Sequence, residues 1–194
     1  MPKTPLGDWP PEALTLVRSG TVEGFLAYML MVHQTDNPEL YGGAAAASEH
    51  HREMAEALCG EGNVCIIMPR GAAKTTYLQG WIEWMLGLAS LTKDKEWPTR
   101  IRFLYVSGSE NQATKVSLAI KDTIEGKTLR VPYGVIFSGV KPKKDEWAAT
   151  QWKVAGNTTK DPTFQACGLF GGALGSRVTY LIFDDPVTDE AKTS

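Results

Sequence analysis

The spacing of apolar residues divides the chain into alternating helical and extended stretches. From Pro11 to about His33 a helical period predicts two helical pieces, broken near Ser19-Gly20 and restarted at Thr21. Asp36-Asn37-Pro38 reads as a turn. Ala44 to Leu58 reads as a helix rich in Ala, Glu and Met that stops at Gly60. Asn63 to Met68 (NVCIIM) is a short apolar run bounded by Gly62 and Pro69, which predicts a fully buried strand. Thr75 to about Leu91 predicts an apolar helix, and Lys93 to Arg100 a polar loop. Ile101 to Val106 (IRFLYV) predicts a second buried strand, and Ser109 with Gln112 opens a helix to about Glu125. Residues 126–147 read as loop. Gln151 to Ala155 and Thr163 to Ala166 alternate, predicting a hairpin around Asn157–Pro162. Val178 to Phe183 (VTYLIF) predicts a third buried strand, running into Asp184-Asp185-Pro186.

Buried strands alternating with helices predict an α/β domain with a largely parallel central sheet. Residues 1–11 are Pro-rich and polar and read as a loose arm. The expected division is a helical and arm region over 1–43 and one domain over 44–194.

Composition narrows the class without changing the layout. A chain of 194 residues with 43% hydrophobic and 22% charged residues suits one globular domain. The formal net charge of −2 excludes polyanion binding by bulk charge, so any DNA contact needs a local patch such as Lys141, Lys143 and Lys144. The three cysteines, Cys59, Cys65 and Cys167, match no metal spacing and read as small buried hydrophobes in a reducing compartment. No apolar stretch approaches a membrane span, and the N-terminus has no apolar signal core, which predicts a cytoplasmic protein.

Two segments carry chemistry. MPRGAAKTT (68–76) lies between a predicted strand and a predicted helix, where helix-start N–H groups and the helix dipole face anions. There Lys74 reaches β- and γ-phosphates, Thr75 offers a hydroxyl to Mg²⁺, and small Gly71, Ala72 and Ala73 let the backbone approach. The pattern departs from the usual one at Ala73 and Met68, where glycine is common; the other reading is a surface loop with a Lys-Thr pair. LIFDDP (181–186) runs an apolar strand into two carboxylates at the rim where open α/β sheets bind ligands. Alone it also reads as a structural Asp-Asp-Pro turn. Their order, each at the end of a buried strand with a βα unit between, favours one nucleotide site.

These residues resemble a known family. PRGAAKTT is similar to the phosphate loop of the large terminase subunit of tailed bacteriophages, with Arg70 matching an arginine common there. FLYVSGSENQATKVSLAIKDTIEG resembles the family's next strand and helix. GGALGSRVTYLIFDDPVTDEAKTS resembles its Walker B region, and HHREMAEAL (50–58) the short helix that helps frame the nucleotide base. The resemblance covers about residue 44 to the end. It implies a three-layer P-loop NTPase of the ASCE/RecA-like kind, here incomplete at the C-terminal side of the sheet. It implies an ATP-hydrolysing motor that packages double-stranded DNA, working as a homo-oligomeric ring on the portal protein with a small terminase subunit. The expected cofactors are ATP and Mg²⁺, and the expected place is the host cytoplasm. The family's RNase H-like nuclease is not in these 194 residues, so the chain is expected to be a fragment or split product without nuclease activity.

Pattern and resemblance together assign Pro69, Arg70, Gly71, Ala72, Ala73, Lys74, Thr75 and Thr76 to the nucleotide, and Thr75 with Asp184 to Mg²⁺. Asp185 is the candidate catalytic acid, one methylene shorter than the Glu usual in P-loop motors, with Glu190 as the alternative candidate. Arg70 reads as a γ-phosphate contact in its own subunit or as a surface arginine. Arg177 reads as an arginine finger toward a neighbouring subunit or as a solvated loop residue. His51 and Gln34 read as cap or surface groups rather than base contacts. Trp81, Trp84, Trp147 and Trp152 read as core rather than DNA-stacking residues, and the lysines at 141, 143 and 144 as a solvated loop or a DNA-backbone contact. Two further readings remain open: another P-loop DNA motor of the helicase or recombinase kind, and a non-catalytic nucleotide-binding fragment.

Overall fold

A computed structural model describes residues 11–33, 48–127, 132–169, 171 and 177–186. The expected N-terminal arm before Pro11, the Asp36–Pro38 turn, Gln34 and Glu190 lie outside the described residues. In chain order the elements are α1 (Pro11–Val17), α2 (Val22–Val32), α3 (Glu49–Cys59), α4 (Lys74–Leu91), α5 (Trp97–Arg100), β1 (Phe103–Ser107), α6 (Glu110–Ile124), α7 (Tyr133–Ile136), β2 (Pro142–Trp147), β3 (Gln151–Val154), β4 (Phe164–Gly168) and β5 (Tyr180–Asp184).

Local chemistry places the helix starts. Thr21 caps α2 through Gly24 N–H, and Ser109 caps α6 through Gln112 N–H, each worth about 1 kcal/mol. The Gln112 side chain does not return to the cap as a capping box requires; its carbonyl accepts from the Ser107 hydroxyl. Two stretches expected as loop hold short elements: α5 lies within 93–100, and α7 and β2 lie within 126–147.

Among the described residues five strands run in the order β2-β3-β4-β1-β5. β1 lies parallel to both β4 and β5, whereas β2–β3 and β3–β4 are antiparallel. The sheet is therefore mixed rather than largely parallel. The connections decide this: β2, β3 and β4 follow one another through turns too short for a parallel crossover, whereas α6 and the β2–β3 hairpin separate β1 from β4. The hairpin expected around Asn157–Pro162 joins β3 to β4.

Residues 63–68, expected as a buried strand, belong to no strand. Ile66 and Met68 pack on the core, but Val64 and Ile67 are 49% and 92% exposed. A strand needs a neighbour to complete its ladder. β5 is the edge of the sheet and does not pair with this segment. Apolar composition reports a tendency to extend, not the presence of a partner.

The main core lies between the sheet and α4 and α6. Phe103, Tyr105, Trp152, Phe164, Ala166 and Ile182 face it from the strands. The alternate residues Leu104, Val106 and Cys167 form a small second cluster to which no helix contributes. Among the described residues, helices thus cover one sheet face, and on the other Leu181 and Phe183 remain about half exposed.

α4 is the central helix. Gly80 and Gly87 sit about two turns apart, and a Cβ there would strike Met29 and the Phe137 ring. Their absence of side chains lets α2 and the α7 region approach. Trp84 Nε1 donates to Val17 O at 2.7 Å, fastening α1 to the same helix. Buried among these apolar groups is Glu83. Its Oε2 accepts from Tyr28 Oη at 2.7 Å and meets His33 Nε2 at 2.8 Å, and its Oε1 accepts from Gln79 at 3.0 Å. Burial and the nearby carboxylate hold the Tyr28 phenol well above its usual range, so it remains a donor. The expected core tryptophans follow suit: Trp81, Trp84 and Trp152 are buried, while Trp147 is half-buried beneath Lys121 and donates to Glu125.

Candidate functional site

The loop Pro69–Ala73 delivers the chain into α4 at the rim formed by the C-terminal ends of β1 and β5. Two of its residues, Gly71 and Ala73, adopt left-handed backbone at φ 84° and 58°. For Gly71 this is free of steric cost, and a Cβ there would meet nothing within 4 Å. For Ala73 it costs about 1–2 kcal/mol. Among the described residues the other non-glycine with positive φ is Asp185, at 43°. Both strained residues therefore border the same rim, as is common where geometry serves a site rather than stability.

Ala73 is the N-cap of α4 and supplies no side-chain cap. The first N–H groups of this helix are left facing outward with the positive end of the dipole, the arrangement that takes an anion. Lys74 Nζ donates to Met68 O at 2.9 Å, closing the loop across its base, and lies 3.7 Å from Asp185 Oδ1. Thr75 Oγ1 donates to Asp184 Oδ2 at 2.6 Å. Asp184 is buried at the end of β5, while the Asp185 side chain is 69% exposed. An exposed contact of this length contributes little to stability, so Lys74 is free to exchange Asp185 for a ligand.

Lys74, Thr75, Asp184 and Asp185 are thus brought together, from segments far apart in sequence. Pro69, Arg70 and Gly71 are exposed at the loop surface, with Ala72, Ala73 and Thr76 half-buried beside them. Among the described residues Arg70 forms no ion pair. Arg177 is exposed and precedes β5, so it stands at the opposite end of that strand from Asp184 and outside its own chain's site.

Tyr105 carries no motif in the sequence. It lies on β1 opposite Ile182, and its hydroxyl donates to Asp184 Oδ2. The one available signal was a polar-tipped ring in an otherwise apolar strand run.

His51, expected as a cap or surface group, is instead buried and stacked on Tyr77 of α4 at 4.8 Å between rings. Burial pushes its pKa down, His50 adds to this, and contact with the Ala72 backbone opposes it. A histidine with a depressed folded value stabilises the fold above the ordinary value of about 6.5 and loses that contribution as pH falls through the folded value. The urea midpoint should therefore drop between pH 7 and pH 5, and His51→Gln should flatten that slope. An equally steep slope in the variant would place its origin elsewhere.

The lysines at 141–144 do not form a free basic loop. Lys143 and Lys144 belong to β2, and Lys143 pairs with Glu146 at 2.5 Å and donates to Asn157 O. Of the cysteines, all expected to be buried, Cys167 is buried and Cys59 is half-buried with its thiol pushed up to about 11, whereas Cys65 is exposed. No described helix is long and apolar enough to cross a membrane.

Comparison with protein-family models and with curated proteins gives no match to either.

Proposed function

We propose that this chain is the ATP-hydrolysing part of a DNA-packaging motor of the large-terminase kind, with a P-loop NTPase fold of which the described residues supply the sheet and the helices on one of its faces. The observation that carries the nucleotide reading is the convergence of Lys74, Thr75, Asp184 and Asp185 on one rim beside an uncapped helix start. The sequence resemblance to large terminase subunits carries the motor reading.

The residues fit a triphosphate and a divalent cation. Left-handed backbone at Gly71 and Ala73 is of the kind that turns loop N–H groups toward an anion, and a Cβ at Gly71 would meet nothing within 4 Å. Thr75 and Asp184 offer a hydroxyl and a carboxylate oxygen. Among the described residues no cluster of three His, Cys, Asp or Glu side chains suits a metal ion. Mg²⁺ typically takes one or two protein oxygens, with phosphate and water filling the rest. Bound there, it neutralises charge gathering on the β- and γ-phosphates.

The chain's own part follows from these positions. Loop N–H groups and the α4 dipole hold the phosphates. Lys74 exchanges Met68 O and Asp185 for β- and γ-oxygens. Asp185, released and exposed, orients the attacking water and accepts its proton. Arg70, exposed on the same loop, is the candidate contact for the γ-phosphate. Arg177, remote from its own site, is free to serve a neighbouring subunit's nucleotide in a ring. Double-stranded DNA, the portal protein and a small terminase subunit are the partners this reading implies, in the host cytoplasm.

The test is titration with a fluorescent ATP analogue in Mg²⁺, followed by phosphate release with and without double-stranded DNA. Micromolar binding with turnover supports an ATPase, and stimulation by duplex DNA supports the motor. Absence of binding at millimolar nucleotide overturns the reading. Binding without turnover, in the chain assembled as a ring, transfers it to a non-catalytic nucleotide-binding fragment.

A further inference from the structure

We propose that Tyr105 is a positioning residue for Asp184, holding that carboxylate in the one orientation that leaves an oxygen for a divalent cation. This rests on the nucleotide-binding reading above.

A single oxygen, Asp184 Oδ2, accepts from both Thr75 Oγ1 and Tyr105 Oη. A carboxylate with two donors on one oxygen keeps the other for a further partner. Thr75 gives its one proton to Asp184 and retains its lone pairs, so it also stays able to face a cation. Thr75, however, sits at the first turn of a helix whose preceding loop must adapt to a ligand. Tyr105 has no such freedom. Its ring is fully buried in the middle of β1, 6.3 Å from the Phe164 ring and inclined to it by 27°, with β4 and β5 on either side. It is the fixed member of the pair. Phenylalanine would fill the same space in the core, and only the hydroxyl reaches Asp184.

The experiment compares the wild-type chain with Tyr105→Phe, Asp184→Asn and the double variant. Affinity for a fluorescent ATP analogue is measured in EDTA and across a Mg²⁺ series, with a thermal melt of each protein. Loss of one hydrogen bond to a charged group should raise the Mg²⁺ concentration for half-maximal enhancement about tenfold in Tyr105→Phe. Affinity in EDTA should change less than about twofold on the same reasoning, since the loop and Lys74 are untouched. In the Asp184→Asn background Tyr105→Phe should add nothing, because it acts through that carboxylate. A Tyr105→Phe protein that keeps the wild-type Mg²⁺ dependence overturns the inference. So does one that loses affinity equally with and without Mg²⁺, since that is what a purely structural role does. A wild-type chain that binds no nucleotide overturns the site reading itself, and the inference with it.

Discussion

Lys74→Ala will weaken ATP binding by about 100-fold or more and leave no measurable turnover. In the proposed site the ammonium would make charge-assisted bonds to two phosphates, worth about 1.5–3 kcal/mol each. The same change is expected to leave folding nearly untouched. Lys74 gives up one bond to Met68 O and a long contact with the exposed Asp185. Thermal unfolding within a few degrees of wild type, beside lost binding of a fluorescent ATP analogue, is the expected pair of results. Lys74→Arg should retain part of the affinity, because charge survives while the fit into a tight loop does not. Unchanged affinity in Lys74→Ala would remove the nucleotide from this rim, and with it the assigned roles of Thr75 and Asp184.

Glu83→Ala will damage the fold severely, with a loss of about 3–5 kcal/mol. The carboxylate is buried and occupied on both oxygens by Tyr28, His33 and Gln79. Truncation strands these groups away from water and opens a void beside Tyr133, whose hydroxyl donates to Glu83 O. Glu83→Gln should cost less, because an amide still accepts from Tyr28. Urea unfolding gives both numbers. A loss below about 1 kcal/mol for the alanine variant would mean that the network is dispensable and that α2 is held by its apolar face alone. Since α4 also begins at the candidate site, nucleotide affinity in Glu83→Gln reports whether the two ends of that helix are energetically linked.

Much of the candidate site was legible from the order of residues. A strong local signal accompanied Lys74 and Thr75, namely small residues running into an apolar helix, and the Asp184-Asp185 pair ended an apolar run. Tyr105 escaped because its role depends on β1 being the neighbour of β5, a pairing between segments more than seventy residues apart. His51 reads as a surface group in the sequence, because the face that α3 buries against Tyr77 is set by the packing of α4. Glu83 was not singled out for a similar reason. In a helix that otherwise reads as apolar, nothing in the sequence announces that Tyr28, His33 and Gln79 will converge on one carboxylate.

By itself the sequence determined the helix starts at Thr21 and Ser109, the break at Ser19-Gly20, the β3–β4 hairpin and the two segments that carry chemistry. Caps, turns and periodicity act over about four residues and are written where they act. Tertiary structure alone decided that the sheet is mixed, that 63–68 joins no ladder, and that the Tyr105 hydroxyl comes to rest on Asp184. A strand's neighbour is chosen by competition among distant segments for backbone hydrogen bonds and burial, and no local pattern records the outcome.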